Sequence, residues 1–329
     1  MEKLNMSKKF SFSVRVSDDT RKYVHGDTLE ELVNAVIELG DEKFVRKFIE
    51  EFPQLSSQQL NELEQVVLAS NNIDEIYKYI INTKELINIE KFEDIIIQAA
   101  NNKRIIKFAS IIIGANIEKL EDAVIASKDK QAILDFYRLV KGSNYEKIKR
   151  VLLNSENNAG AIYEFFIINI NQGHIMEDDE IKEIDEAISA SNNARICLEW
   201  AQTNIDGINI SKLEDIVIKG NNENYIYAFA SSVNGANIEK LEDAFITFIN
   251  YGNIYRVREF AKNVKAINIE KLEDVIIKFG SAYDIYIFAN EVEGANLHKL
   301  RKALMATKNK KYINYWNKSF GIKGLFKNK

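Results

Sequence analysis

A single pattern of apolar and charged residues recurs along the chain. Its core is the six-residue segment Ile-Glu-Lys-Leu-Glu-Asp, which is present in nearly identical form at Ile89, Ile117, Ile210, Ile238 and Ile269. Some thirteen residues after the central leucine or phenylalanine, an apolar residue recurs, usually with an aromatic residue three positions later. Examples of this pair are Ile105/Phe108, Ile133/Phe136, Ile226/Phe229 and Ile285/Phe288. Apolar spacings of three and four are typical of amphipathic helices, so each unit is predicted to contain two helices, A and B.

The central apolar residue, called the anchor below, defines ten copies of the unit. The anchors are Leu32, Leu63, Phe92, Leu120, Ile148, Ile184, Leu213, Leu241, Leu272 and Leu300. They are spaced by 28 to 36 residues, with a mean of about 30. One hairpin of this length buries too little apolar surface to be stable alone, whereas stacked hairpins share a continuous core. The sequence therefore predicts an all-α fold, an α-solenoid of about ten two-helix repeats.

Polar residues and glycines mark where these helices begin and end. Asn116 precedes a helix A and is predicted to cap it, because its side chain can accept hydrogen bonds from the free N–H groups of the first turn. Helix B is predicted to stop near a glycine, since glycine readily adopts the left-handed conformation that ends many helices. The glycines at these places are Gly114, Gly142, Gly207, Gly235 and Gly294.

Two stretches depart from the repeat. Residues 1–26 alternate between apolar and polar positions on either side of 17–20, which predicts a short β-hairpin that covers the first repeat as a cap. The longest spacing indicates an acidic insertion at 171–180, which we interpret as a hinge. The predicted organisation is a hairpin cap (1–26), a first array of repeats (27–170), the insertion (171–180), a second array (181–293) and a basic C-terminal capping repeat with its tail (294–329).

The cadence N-I-E-K-L-E-D-A/I-V-I…Y-I-Y-x-F-A resembles repeats in uncharacterised proteins of low-GC bacteria and their phages, and the resemblance covers most of the chain. The unit is shorter than tetratricopeptide, ankyrin and HEAT repeats and carries none of their signatures. The resemblance brings no catalytic residues. It implies a protein encoded by a phage or mobile element that binds and inhibits a host defence complex.

The composition agrees with a helical protein. One proline and 14 glycines among 329 residues are too few turn formers for a β-sandwich or β-barrel. A net charge of −5 is too mild for a chain that binds nucleic acid or membranes along its whole length. No apolar run approaches a membrane span of ~20 residues, the first residues lack the apolar core of a signal peptide, and the lone Cys197 fits a reducing compartment. These features predict a cytoplasmic protein.

Sequence motifs for catalysis or metal binding are missing. The chain has no GxGxxG, GxxxxGK[ST], HExxH or GxSxG segment, and His25, His174 and His298 are too scattered for a local metal site. Cys197 falls on an apolar helix-B position, which favours a buried residue over a nucleophile. The acidic stretch 177–180 is interpreted as a solvated segment that starts the next helix. We therefore expect a protein that is not an enzyme and uses no cofactor or metal.

Charged residues after the anchors form a first candidate surface. Stacking is expected to align the acidic residues one and two positions past the anchors, for example Glu121 and Asp122, into columns along the array. Such a column would attract a cationic surface. The lysine before the anchor, for example Lys119, lies three residues from the aspartate of its own repeat, where it would neutralise the column and leave a solubilising charged face.

A tyrosine series forms a second candidate surface. Counting about fourteen residues from the anchor gives Tyr77, Tyr163, Tyr227, Tyr255 and Tyr286. This position lies on the flank of the core face of helix B. Tyrosines there could line a groove for a protein partner, because they offer large contact areas, or they could pack between repeats.

The third candidate is the basic end of the sequence. Residues 294–329 contain ten lysines and arginines and no acidic residue, so the first 293 residues carry a net charge of −15. Arg301, Lys302, Lys308, Lys310, Lys311 and Lys318 are the candidate ligands of an anionic partner, with Lys299, Lys323, Lys327 and Lys329 in the same stretch. Tyr312, Tyr315, Trp316 and Phe326 are interleaved with them. The alternative is a capping repeat whose charge offsets the acidic body.

These observations favour a non-enzymatic helical-repeat scaffold that binds a protein partner along its solenoid surface. The alternative is a nucleic-acid-binding protein that uses the basic C-terminal repeat, with binding that weakens steeply as salt increases. An enzyme with a dispersed site is a third possibility, although no nucleophile–base pair supports it. No membrane partner is expected.

Overall fold

A computed structural model describes residues 10–15, 21–83 and 86–321. In these residues the chain forms two strands and twenty helices. The elements are β1 (Phe10–Arg15), β2 (Arg21–Gly26), α1 (Leu29–Leu39), α2 (Glu42–Glu51), α3 (Ser57–Ala69), α4 (Ile73–Asn82), α5 (Ile89–Gln98), α6 (Asn102–Ile111), α7 (Ile117–Ala126), α8 (Lys130–Leu139), α9 (Tyr145–Leu153), α10 (Ala159–Asn171), α11 (Asp178–Ala190), α12 (Ala194–Ala201), α13 (Ile210–Lys219), α14 (Glu223–Ser232), α15 (Ile238–Ile246), α16 (Tyr255–Asn263), α17 (Ile269–Phe279), α18 (Ala282–Glu291), α19 (Leu297–Ala306) and α20 (Lys310–Phe320). The prediction of about ten two-helix repeats is confirmed.

The chain divides into two compact units, Met1–Leu152 and Leu153–Lys329. The first unit contains the strands, α1 to α8 and nearly all of α9, and the second contains α10 to α20. The acidic insertion predicted at 171–180 lies within the second unit, where it joins α10 to α11. Its interpretation as a hinge stays a prediction.

Alternate helices form two layers in each unit. In the first unit α2, α4, α6 and α8 pack in order, and in the second unit α10, α12, α14, α16, α18 and α20 do the same. All ten anchors are buried between the layers, each with at most 1% of its surface exposed. The four helix-B pairs named above are buried as well. Each unit is therefore an α-solenoid of stacked hairpins that share one core. No helix among the described residues is long and apolar enough to cross a membrane.

Asparagines start the helices, and left-handed residues precede them. The Asn116 side chain accepts a hydrogen bond from the Lys119 backbone N–H at 3.1 Å, as predicted, and most other repeats begin helix A with the same cap. Two residues earlier the chain turns through a left-handed conformation, usually at glycine, as at Gly235 (φ 77°). In the ninth repeat Ala266 stands at the equivalent place with φ 57°.

The N-terminal hairpin packs on the first repeat. Strands β1 and β2 are antiparallel, with Phe12 opposite Val24. Val24 is buried, and the Phe12 ring lies 5.1 Å from Phe44 and 5.3 Å from Phe48 of α2. The predicted β-hairpin is confirmed, although its turn at 17–20 lies outside the described residues.

The left-handed turn before helix A generates a reciprocal prediction. A Cβ added at Gly235 meets no atom within 4 Å, so Gly235→Ala is expected to cost about 1 kcal/mol through backbone conformation alone. Ala266→Gly should raise the free energy of unfolding by a similar or smaller amount, because it relieves the same strain. Urea unfolding of the full chain, followed by circular dichroism, measures both changes. A change of the same sign in the two variants would contradict this explanation.

Candidate functional site

The acidic residue directly after the anchor is buried in seven repeats, where it joins one repeat to the next. These junction carboxylates are Glu64, Glu93, Glu121, Asp185, Glu214, Glu242 and Glu273. Each accepts a hydrogen bond from the backbone N–H of the asparagine that precedes helix A of the following repeat. Glu214 Oε2, for example, lies 2.7 Å from Asn237 N. Negative charge is stabilised there because a helix N-terminus carries unpaired N–H groups and the positive end of the helix dipole.

The lysine before an anchor pairs with the acidic residues of the preceding repeat. Lys119 Nζ lies 2.7 Å from a carboxylate oxygen of Asp94 and 3.4 Å from one of Glu93. Equivalent contacts across junctions are made by Lys147, Lys240, Lys271 and Lys299. The expected pairing of each lysine with the aspartate of its own repeat is therefore wrong, and so is the expected exposed acidic column. The first acid is buried, and the second is bridged between repeats.

One of these bridges changes the pKa values of both partners. The hydrogen bond from Lys240 lowers the pKa of the Asp215 carboxyl below its ordinary value, and the same bond raises the pKa of Lys240. Asp215 is half exposed, but its negative charge is therefore already balanced by Lys240. Where a lysine bridges the junction in this way, the aspartate offers little free negative charge to a cationic partner.

The junction between the eighth and ninth repeats departs from this pattern. Glu242 is 1% exposed, yet it accepts a single hydrogen bond, from Asn268 N at 3.3 Å, and its Oε1 atom has no hydrogen-bond partner. Lys271 pairs with Asp243, and in the described part of the chain no ammonium group lies within 4 Å of Glu242. Burial raises the pKa of Glu242 above its ordinary value. This junction is the least satisfied of the seven.

Four of the five predicted tyrosines directly follow a buried helix-B residue. Tyr77, Tyr163, Tyr227 and Tyr286 are all half-buried. The Arg104 guanidinium lies 5.1 Å from the centre of the Tyr77 ring, and Asn263 Nδ2 donates to Tyr227 Oη at 2.9 Å. Both contacts come from the next helix B along the stack. The Tyr286 hydroxyl likewise lies 2.9 Å from Ser319 Oγ of α20, the next helix B. Packing between repeats, the alternative that the sequence left open, therefore accounts for these three positions.

Tyr255 occupies a different position from the other four. It lies two residues before the buried Val257, because the connection leading into α16 is longer than in most other repeats. Its assignment to the series by counting from the anchor is therefore wrong. Its structural equivalents are Tyr283 in α18 and Lys311 in α20, each two residues before the first core residue of its helix B. Tyr255 is 51% exposed and Tyr283 46%.

Helices α16, α18 and α20 thus carry a set of exposed and half-buried tyrosines on one layer of the second unit. We call Tyr255, Tyr283, Tyr286, Tyr312 and Tyr315 the tyrosine surface. The Tyr312 ring centre lies 5.7 Å from Tyr283, 6.2 Å from Tyr286 and 5.7 Å from Tyr315. Counting from the anchor missed Tyr283, whereas aligning each helix B on its buried pair places it at once.

The predicted basic residues lie in the last described repeat. Arg301 and Lys302 are exposed on α19, Lys308 precedes α20, and Lys310, Lys311 and Lys318 are exposed on α20. Within the described ranges none of these six has a carboxylate at ion-pairing distance, whereas Lys299 of the same repeat pairs with Glu273 and Asp274. Lys311 Nζ lies 5.3 Å from the centre of the Tyr312 ring. Lys323, Phe326, Lys327 and Lys329 lie outside the described residues.

Residues with possible redox, metal or nucleophilic chemistry do not converge. Cys197 is buried, as predicted, and burial raises the pKa of its thiol to about 11, so little thiolate exists at neutral pH. His174 lies 3.4 Å from Glu180, whose carboxylate also accepts the Glu177 N–H at the start of α11. The acidic stretch therefore starts a helix, as expected. Among residues 10–15, 21–83 and 86–321, no three histidine, cysteine or acidic side chains are grouped to hold a metal ion.

Comparison of the chain with protein-family models, with curated proteins and with solved structures returned no match.

The junction carboxylates generate a first stability prediction. Glu214→Ala leaves the Asn237 N–H without its acceptor and Lys240 with Asp215 alone, so it should lower the free energy of unfolding by about 3 kcal/mol. The neighbouring Asp215→Ala removes a carboxylate that is half exposed, and it should cost less than about 1 kcal/mol. Urea unfolding of the full chain compares the two. If both variants lowered the free energy of unfolding equally, the buried Glu214 would contribute no more to stability than the half-exposed Asp215.

The unsatisfied junction generates a prediction with the opposite sign. Because burial raises the pKa of Glu242, the folded protein binds this proton more tightly than the unfolded chain does. The ionised group therefore reduces stability progressively as the pH rises above the ordinary glutamate value of 4.5. Glu242→Gln should raise the urea midpoint at neutral pH, and the gain should vanish below that value.

Glu214→Gln is the matched control for this measurement. Its glutamine loses the charge that pairs with Lys240, so the midpoint should fall at neutral pH. If both glutamine variants shift the midpoint in the same direction and by the same amount, the two junctions do not differ in the way described.

Proposed function

We propose that the protein is a non-enzymatic helical-repeat scaffold that binds a protein partner through the tyrosine surface of its second unit. One observation carries the proposal. The position of Tyr255 and Tyr283, two residues before the helix-B core pair, holds a polar residue in other repeats: Lys43, Asp74, Lys103, Gln131, Arg195 and Asn224. Those repeats fold without an aromatic ring there, so packing does not require one.

Tyrosine at these positions suits recognition. An exposed tyrosine offers a large, rigid contact area with few rotatable bonds, which is why tyrosines are enriched among residues that dominate binding energy. The rings of Tyr283, Tyr286, Tyr312 and Tyr315 lie next to one another, so a partner would meet a continuous aromatic area rather than isolated side chains. The charges of the repeat junctions described above are largely paired, which leaves the tyrosine surface as the strongest candidate contact area in this unit.

We propose further that the partner belongs to a host defence complex and that the protein acts in the cytoplasm. The resemblance of the repeat cadence to phage and low-GC bacterial repeats supports the first point, and the lone buried Cys197 supports the second. Identification of the captured partner by mass spectrometry tests both.

Partner capture tests the tyrosine surface. Full-length tagged protein is mixed with a lysate of the organism that encodes it or of that organism's host. The wild type should retain a stoichiometric protein. Tyr283→Ser with Tyr315→Ser should reduce its recovery at least about ten-fold, because two aromatic rings that the partner would bury are lost. The matched control is Tyr23→Ser with Tyr251→Ser, since both are exposed tyrosines outside the tyrosine surface, Tyr23 on β2 and Tyr251 in the connection between α15 and α16.

Two outcomes would reject the proposed function. Either the wild type recovers no stoichiometric protein, or all three forms recover it equally. Release of the captured material by nuclease would instead identify the nucleic-acid-binding alternative, for which the six unpaired cations of the last described repeat are the supporting observation.

A further inference from the structure

We propose that the last described repeat binds an acidic segment of the protein partner, where the exposed cations of α19 and α20 adjoin Tyr312 and Tyr315. The inference rests on the proposed function and specifies the chemistry of the partner. It concerns Arg301, Lys302, Lys308, Lys310, Lys311 and Lys318, which we call the basic surface.

The first argument is that basic residues replace acidic ones directly after the anchor, where the acid elsewhere joins two repeats. In seven earlier repeats the residue after the anchor is a carboxylate that accepts the N–H of the following repeat. After the anchor Ile148 the chain has Lys149 and Arg150, but Lys149 pairs with Glu146 of its own helix. After the anchor Leu300 it has Arg301 and Lys302. A guanidinium or ammonium group has no lone pair to offer a backbone N–H, so these side chains cannot make a repeat junction of that kind. They are suited to contact carboxylates.

The second argument is that these cations have no carboxylate partner among the described residues. At the preceding junctions lysines bridge two repeats, and Lys299 of this same repeat does so with Glu273 and Asp274. Arg301 and Lys302 are exposed on the same helix, and no carboxylate within the described ranges lies at ion-pairing distance from them. Six cations without a carboxylate partner, five on two adjacent helices and Lys308 in the turn between them, produce a local positive field that attracts anions.

The third argument separates an acidic protein segment from a nucleic acid. A single strand that stacked its bases on the tyrosine surface would run its phosphates past α18, which carries Asp284 and Glu291. Helix α18 contains no lysine or arginine, so its charged side chains would repel a phosphate rather than bind it. The six cations of the basic surface lie on α19, on α20 and in the turn between them. A polypeptide with acidic residues at one end and apolar or aromatic residues at the other matches this distribution.

Fluorescence anisotropy with defined probes tests the inference. The first probe is a labelled peptide with an Asp/Glu-rich half and a Phe/Leu-rich half, the second is a peptide of Asp and Glu only, and the third is a single-stranded DNA of about 20 nucleotides. Full-length protein should bind the first probe more tightly than either of the others. Its affinity should fall as salt increases from roughly 50 to 200 mM, because part of the attraction is electrostatic.

Charge reversal locates the site. Arg301→Glu with Lys302→Glu should weaken binding of the first peptide at least about ten-fold. The matched control is Lys182→Glu with Lys219→Glu, two exposed lysines of the same unit on α11 and α13, which changes the net charge equally and should alter affinity less than about two-fold. Tyr315→Ser should weaken binding of the first peptide and leave that of the Asp/Glu-only peptide unchanged. Circular dichroism verifies that each variant is folded.

Several results would overturn the inference. These are tighter binding of the DNA than of the mixed peptide, equal effects of the two charge reversals, and no binding of any probe at low salt. Its failure can be told apart from failure of the proposed function. If Arg301→Glu with Lys302→Glu captures the native partner as well as wild type does, the partner's acidic segment is not bound here, although the scaffold function stands.

Discussion

A hydrogen bond from a backbone N–H to a buried carboxylate holds successive repeats together. Removing a carboxylate from water is costly, and the group is tolerated only where donors satisfy it. Here the donor is the start of the next helix A, and at several junctions a lysine from the same helix adds its charge. Hydrophobic contacts between stacked hairpins are not directional. The buried carboxylate supplies direction, because its oxygens can be satisfied only when the next helix begins at one place and points one way.

The hydrophobic framework was predictable from the sequence, but the junctions were not. The anchors and the helix-B pairs follow helical periodicity, and their burial depends only on that pattern. By contrast, glutamate is among the residues least often buried, so the acid after the anchor was expected at the surface. The lysine before the anchor is three residues from an aspartate of its own repeat, a spacing that is compatible with an ion pair within one helix. Only the stacked arrangement shows that the lysine reaches the preceding repeat instead.

The tyrosines show a second limit of sequence counting. Four of them keep a fixed distance from the buried helix-B residue, so their shared position was found. Tyr255 was misplaced because the chain is longer before α16, which shifts every later residue relative to the anchor but not relative to the core of its own helix. Tyr283 was missed because it lies eleven residues after its anchor, Leu272, whereas the count took the residue at fourteen. Positions on helix B should therefore be counted from the buried pair on that helix, because insertions fall in the loops and leave the spacing within a helix unchanged.

The residues with which one repeat makes its two junctions lie within seven consecutive positions. Asn116 and Lys119 serve the preceding repeat, while Glu121 and Asp122 serve the following one. A duplication of one such hairpin in register would therefore bring its own donor and its own acceptor, and it would satisfy both flanks without a change elsewhere. The length of such a chain can thus change by whole hairpins without requiring a new kind of junction.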